Sequence, residues 1–282
     1  MKVIVTGSSG LLGCHVAAAL VEAGHEVLGL DLSPPREGAW QHITADLTDL
    51  GQTLQLVRDA EAVVHIAAIP RPTGLPAGRV FQTNMAACYN VVEAAVLSGA
   101  MRLVYASSMS VLGYPFFEQP VVPAYLPFDS RHPAAPQDAY ALSKWLGEEV
   151  VAAAVRRRPE LSAASLRMPW IQTAETFPRD VVEQRKRTAL AARDLWAYLD
   201  ARDAAAAFVG AVERPLEGYR RLFISAADTF METETETLVK DAYPGVELRR
   251  ALVGFETVFD LTEARELLGF VPKHGWRDYL LR

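Results

Sequence analysis

Cysteine is almost missing: the 282 residues include two, Cys14 and Cys88. Two thiols cannot build a disulfide framework, so a reducing cytoplasm is the expected compartment. Long apolar runs are missing too. The longest candidate, Leu103 to Phe117, is broken by serines, Gly113 and Pro115, and a membrane helix needs roughly 18 uninterrupted residues. The opening VIVTG reads as a strand and not as a signal-peptide core, so no membrane association is expected. Positive charge is in deficit, with 28 Lys and Arg against 34 Asp and Glu, which argues against a nucleic-acid partner. The one basic run, Arg156-Arg157-Arg158, reads as the solvated end of a helix. The six histidines show no metal-ligand spacing, so no metal is expected. What remains is ordinary globular usage, 50% apolar and 22% charged, which excludes a disordered chain.

The first half alternates short apolar runs with longer helical patterns. Strands are expected at residues 2–6, 26–30, 42–46, 62–68 and 102–108, and helices at 11–23, 50–59 and 80–98. Such alternation implies a parallel, doubly wound α/β sheet whose strand carboxyl ends share one ligand-binding edge. A long loop at 109–138, rich in Pro and aromatics, precedes a helix near 138–157 and a strand at 161–168. Beyond Pro169 the pattern loosens into a charged stretch at 170–200, then a helix at 204–213, a strand at 221–226 and a short helix from Thr262 to Leu268 before Gly269. The division expected is a Rossmann domain over 1–168 and a small lobe over 169–282 that returns strands and helices to the core. Cys14 and Cys88 are expected to pack as small hydrophobes, and the acidic run 231–236 to cap a helix leading to Val239.

Gly7, Gly10 and Gly13 follow the first strand and open the first helix in Gly-x-x-Gly-x-x-Gly spacing. Gly7 permits a tight turn, Gly10 a close approach of backbone to a pyrophosphate, and Gly13 the packing of helix on strand. The helix N-terminus then offers free N–H groups to phosphates. Asp31 ends the second strand, 18 positions past Gly13. Its carboxylate suits two ribose hydroxyls and repels a 2′-phosphate, so NAD is favoured over NADP; Arg36 is the one neighbour that argues the other way. Tyr140 and Lys144 stand at i and i+4, on one helix face. A phenol titrates near 10, too high for a base at neutral pH, and an adjacent ammonium pulls it down. Ser107 and Ser108, at the end of a parallel strand, offer a hydroxyl that can orient a substrate oxygen.

With these motifs in order, the sequence resembles the extended short-chain dehydrogenase/reductase family, also called the NAD-dependent epimerase/dehydratase family. TGSSGLLG at 6–13 matches its glycine motif, placing Ser9, Leu11 and Leu12 beside the three glycines along the cofactor. Ala45-Asp46-Leu47 resembles its G-D-L element, which implies that Asp46 meets the adenine amine. His65-Ile66-Ala67-Ala68 resembles H-L-A-A, which lies along the pyrophosphate, and Asn84 through Asn90 resembles N-x-x-G-T-x-N. Ser107-Ser108-Met109-Ser110-Val111-Leu112-Gly113 is similar to S-S-x-x-V-Y-G. This assigns the catalytic hydroxyl to Ser108 and puts Ala106 and Ser107 against the cofactor. Residues 127–133 resemble the segment before the catalytic helix, and 198–205 resembles Y-I-D-V-R-D-V-A. Leu166-Arg167-Met168-Pro169 resembles L-R-x-x, whose backbone near the proline meets the nicotinamide amide. Phe259-Asp260, Leu268-Gly269-Phe270 and Trp276 match its C-terminal segment.

The resemblance implies hydride transfer at a carbinol of a sugar or sugar derivative, with Tyr140 as base, Lys144 holding the phenolate and Ser108 polarising the oxygen. It also implies a homodimer through the helices at 80–98 and 140–155. The family's aromatic is replaced by Leu112, and only 36 positions separate Arg167 from Asp203. That segment is short for enclosing a nucleotide, so a compact sugar or a uronate is expected ahead of a UDP-sugar, with 4-epimerisation as the alternative. A non-catalytic NAD sensor is disfavoured because Ser108, Tyr140 and Lys144 are all present. Ile69 and Arg71 in the Ile-Pro-Arg-Pro loop, Met109, Ser110, Arg185, Arg187 and Arg193 are candidate substrate contacts, a guanidinium fork suiting carboxylate or phosphate.

Overall fold

Nearly continuous apolar runs become the central strands, buried on both faces as a parallel sheet requires. In the computed structural model, which describes residues 1–35, 37–214 and 216–280, seven parallel strands lie in the order β3-β2-β1-β4-β5-β6-β9. They are β1 (Lys2–Thr6), β2 (Glu26–Asp31), β3 (Gln41–Thr44), β4 (Ala62–His65), β5 (Arg102–Ser108), β6 (Ser162–Met168) and β9 (Tyr219–Phe223). The chain order reverses between β1 and β4, and such a switch point leaves a crevice outside the strand ends. This is a Rossmann-like α/β fold.

Helices cover both faces. On one side α1 (Leu11–Glu22) packs on α7 (Ala201–Glu213), with α9 (Thr262–Leu268) behind them. On the other lie α2 (Leu50–Val57), α3 (Ala77–Ser98) and α4 (Ala139–Arg157). Cys88 is buried in this second layer. Cys14 departs from expectation: it is half-buried, and its thiol meets the Leu11 carbonyl at 3.3 Å and the His15 ring at 3.5 Å. Residue 14 falls between the buried positions Gly13 and Val16 on α1, so it is turned partly off the apolar face. Among the described residues no helix is long and apolar enough to cross a membrane.

The stretch read as irregular and charged is ordered. It holds β7 (Trp170–Gln172), α5 (Thr176–Arg185), α6 (Thr188–Arg193) and β8 (Tyr198–Asp200), with β7 and β8 forming a separate parallel pair. Polar helix α5 is anchored by Phe177 and Val181, an i, i+4 pair that is fully buried. A third apolar cluster joins these elements to residues 109–128 and to α8 (Thr235–Ala242), with the long loop held by backbone pairing of Leu126 to Leu248 and Phe128 to Phe259. Helix α7 starts earlier than expected, at Ala201, because Asp200 caps it by accepting the Arg202 N–H at 2.7 Å. At α8, Glu234 occupies the capping position without a side-chain cap bond, and Glu236 sits in the first turn. The short α10 (Arg277–Leu280) follows Trp276.

Candidate functional site

The glycine loop is shaped by what its residues cannot carry. Gly7 has φ of +73°, and a Cβ there would stand 2.7 Å from the Ala67 nitrogen. A Cβ on Gly13 would stand 1.9 Å from the Gly7 oxygen. Gly10 is different: a Cβ would meet only the Gly7 oxygen, at 3.3 Å, so this position opens onto the cavity. Helix α1 begins there without a side-chain cap or a first-turn acid, leaving its amides for an anionic ligand. Asp31, at the end of β2, accepts the Ser9 N–H at 3.1 Å, while the Ser9 hydroxyl donates to the Ser33 carbonyl at 2.6 Å. Arg36 lies outside the described residues.

Thr6 organises the chain after β4. Its hydroxyl accepts the Ile66 and Ala67 amides at 3.1 and 3.2 Å and lies 2.8 Å from His65 Nδ1. With both amides accepted, its single proton points to Nδ1, which places the His65 proton on Nε2. Burial pushes the His65 pKa down to about 3, so the ring is neutral. Asp46 accepts the Thr48 amide and hydroxyl at 2.9 and 2.7 Å, and these bonds hold its carboxyl below the usual range. Leu47 is fixed through its carbonyl, which accepts from Asn90 at 2.9 Å. Asn84 lines the cavity, but its amide is engaged with the backbone of Ile69 and with the Ser143 hydroxyl.

The reactive constellation stands where β5 meets α4. Asp138 caps α4 by accepting the Tyr140 and Ala141 amides at 2.8 and 2.9 Å. Buried Lys144 donates to the Ala106 carbonyl at 2.7 Å, with its nitrogen 5.0 Å from the Tyr105 ring and 5.8 Å from the Tyr140 ring. Removal from water pushes Tyr140 up to about 12, opposed by the Ser108 hydroxyl, and pushes Lys144 down to about 8. The Ser108 oxygen accepts the Ser110 amide at 3.1 Å. Ser107 points elsewhere: its hydroxyl donates to buried Glu148 at 2.6 Å, so the expected cofactor contact is left to its backbone. Glu148 also takes both arms of Arg167 at 2.8 Å. Glu148 was not among the expected site residues; its signal was a carboxylate two turns beyond Tyr140 on the same helix face.

One cavity of about 1260 Å³ joins the glycine loop, Asp31, Asp46, Ala68, Ala106, Ser108, Tyr140, Lys144 and Pro169. Its far end is walled by Ile69, Arg71, Met109, Ser110, Trp170, Leu190, Arg193 and Asp194. The Ser110 hydroxyl is buried there without a protein partner. Asp194 bonds to Gln184, and burial raises its pKa to about 7. Arg193 reaches the cavity while donating to the Pro115 and Phe117 carbonyls at 3.1 and 2.9 Å and lying over the Phe117 ring. Two of the arginines proposed for substrate are elsewhere. Arg185 stacks on Trp276 with 3.4 Å to the ring centre and bonds the Phe230 carbonyl; Arg187 is exposed just before α6. Neither lines the cavity: Arg185, the last residue of α5, turns to Trp276 in the third cluster, and Arg187, between α5 and α6, turns to solvent. Leu112 is buried in that cluster rather than beside the reactive groups.

The family model "NAD dependent epimerase/dehydratase family" matches residues 3–221. The chain is 29% identical over 163 residues to GDP-mannose 3,5-epimerase 1 of Oryza sativa subsp. indica, covering 53% of this chain and 41% of that protein. It is also 29% identical over 153 residues to uronate dehydrogenase of Pseudomonas putida, covering 53% of each. The chain thus spans about half the length of these curated relatives, or less. In fold it is similar to MoeE5 in complex with UDP-glucose and NAD, with a TM-score of 0.74, 24% identity and coverage of 100% of this chain and 96% of that one.

Proposed function

The chain belongs to the NAD dependent epimerase/dehydratase family, and from that premise we propose that it transfers hydride between NAD and a carbinol carbon of a compact sugar or sugar acid. The observation that carries the reading is the placement of Ser108, Tyr140 and Lys144 in one cavity with the open Gly10 turn and Asp31. The residues fit a dinucleotide: the uncapped first turn of α1 suits the pyrophosphate, and Asp31 suits the ribose hydroxyls. Bound NAD supplies the hydride-accepting ring and a positive charge at the site.

The protein's own groups manage the proton. Ser108 donates to the substrate oxygen and aligns it with Tyr140. The Tyr140 phenolate accepts the hydroxyl proton, becoming the phenol, as the carbon loses hydride. Without ligands the phenol sits at about 12, so its conversion to phenolate depends on cationic neighbours. Lys144, fixed by the Ala106 carbonyl, is already beside the phenol at that value, so the further positive charge would come from the nicotinamide of bound NAD, with Lys144 holding the phenolate once formed. If the ketone leaves, the net reaction is dehydrogenation; if it turns and is reduced again, it is epimerisation.

The likeness to uronate dehydrogenase, together with Arg71 and Arg193 in the cavity wall, supports a sugar acid. Nucleotide-sugar epimerisation is a second reading, favoured by the likeness to GDP-mannose 3,5-epimerase 1. A homodimer through α3 and α4 is part of the proposal, and Tyr89 and Leu97 are exposed on α3. The test is a screen of aldoses, uronates and nucleotide sugars for NADH absorbance. Turnover of a uronate or free sugar is the expected result; a nucleotide sugar bound at micromolar concentration with no turnover of compact sugars overturns the preference.

A further inference from the structure

A buried ionic cluster lies directly beneath the reactive groups. Glu148 has no solvent exposure. Its Oε1 accepts the Ser107 hydroxyl at 2.6 Å and Arg167 Nε at 2.8 Å; its Oε2 accepts Arg167 Nη2 at 2.8 Å and stands 2.9 Å from Arg221 Nε. Arg221 also reaches Glu149. The four charges balance, but a buried cluster of this kind is a poor source of stability, since desolvation offsets the attraction. Its best-attested use is to fix one arrangement among several.

The arrangement fixed here is that of the site. Ser107 and Arg167 are register partners on β5 and β6, and the next pair in register is Ser108 with Met168. One carboxylate therefore holds both strand ends where they reach the cavity wall. That carboxylate stands four residues beyond Lys144 and eight beyond Tyr140 on α4, so all three share a helix face. Helix α4 thus meets β5 at two consecutive residues, through Lys144 to the Ala106 carbonyl and through Glu148 to the Ser107 hydroxyl. A sliding or rotation of α4 would have to break both.

We propose that Glu148, acting through Ser107, is a positioning residue that sets the distance between the Ser108 hydroxyl and the Tyr140 phenol. The proposal rests on the reading of Ser108, Tyr140 and Lys144 as the reactive groups. It predicts a loss in the chemical step and not in cofactor affinity, because the glycine loop and Asp31 are far along the sheet edge from this cluster.

Ser107→Ala removes the link to β5 and leaves the Glu148–Arg167 pair intact, so it tests positioning without unbalancing buried charge. The expected result is a fall in kcat of about tenfold, since displacements of even 1 Å at a reacting centre can cost about 10²-fold. The KM for NAD stays at the unsubstituted value, the melting temperature falls modestly with the loss of one buried bond to a carboxylate, and Ser107→Thr, which keeps the hydroxyl, restores most of kcat. In a Glu148→Ala background that folds, adding Ser107→Ala brings no further loss, because the acceptor of the one link is already gone. Unchanged kcat in Ser107→Ala overturns the proposal, as does a fall in kcat accompanied by a matching rise in the KM for NAD. Tyr140→Phe, measured in parallel, separates this failure from that of the underlying reading. An inactive Tyr140→Phe beside a fully active Ser107→Ala removes the positioning role alone, whereas an active Tyr140→Phe removes both.

Discussion

The two ends of the cavity are built by different physics. The cofactor end comes from residues 1–108, where each strand is a run of apolar residues and each helix packs on the sheet that its own strand joins. Apart from Ile69 and Arg71, the far end comes from residues 109–128 and 170–276, where short elements are held by side chains distant in sequence. The first kind of structure is written locally. The second is written in contacts such as Phe177 with Tyr198 and Trp276. Chemistry at the first end should consequently be broken by single, foreseeable substitutions, while the second should yield its specificity only to paired comparisons.

The largest effect is expected at the junction of the two. Tyr140→Phe should leave NAD binding nearly intact and lower turnover by about 10²–10⁴-fold, the usual contribution of a positioned base. Steady-state rates together with NADH fluorescence titration check this, and near-normal turnover would assign the base elsewhere.

The difference in legibility follows the same line. Gly7, Gly10 and Gly13 could be read because only backbone geometry explains their spacing, and β5 and α4 because their apolar patterns are long. Helix α5 could not be read as such. Its sequence TFPRDVVEQR is mostly polar, and the two residues that bury it, Phe177 and Val181, find their partners far along the chain. Arg185 shows the cost of that blindness. An arginine in a polar stretch looks available for a ligand, yet tertiary packing stacks it on Trp276. Glu148 was hidden for the converse reason: a carboxylate on a helix reads as solvated until Ser107, Arg167 and Arg221 are brought over it.

The next effect belongs to the cofactor end. Asp31→Ala removes the acceptor proposed for two ribose hydroxyls. Loss of charge-assisted bonds of this kind is worth about 1.5–3 kcal/mol, so the Kd for NAD should rise by about 10–100-fold and the preference over NADP should narrow. Paired titrations of the two cofactors measure it; an unchanged NAD-to-NADP ratio would separate Asp31 from ribose recognition.

Stability against pH should carry opposite signs at the two ends. His65 has its folded pKa depressed from 6.5 to about 3, so as pH falls below 6.5 the unfolded chain takes up a proton that the folded chain refuses, and stability is lost. Asp194 has its folded pKa raised from 3.8 to about 7, so as pH falls from 7 the folded chain takes up the proton first, and stability is gained. Each contributes about 2 kcal/mol between pH 7 and 5 at 1.36 kcal/mol per pH unit. Relative to the unsubstituted protein, His65→Asn should therefore gain stability on acidification and Asp194→Asn should lose it. Urea midpoints at pH 7 and pH 5 read the two trends, and trends of the same sign would contradict the assigned burial of one group.

The smallest effect is the most discriminating for the substrate. Arg193 and Arg185 lie in the same polar segment, but only Arg193 lines the cavity. If Arg193 pairs with a substrate carboxylate, Arg193→Met should raise KM for a uronate by about tenfold, the low end of a charge-assisted bond at about 1.5 kcal/mol. The matching aldose, lacking the charge, should be affected less, and that difference corrects for any loosening of the loop that Arg193 holds through Pro115 and Phe117. Arg185→Met should do the reverse, lowering the melting temperature through lost stacking on Trp276 while leaving the uronate-to-aldose ratio unchanged. Equal losses for both substrates in Arg193→Met would mean that this arginine only holds the wall, and the carboxylate ligand would then be sought at Arg71, the other arginine that lines the cavity among the described residues.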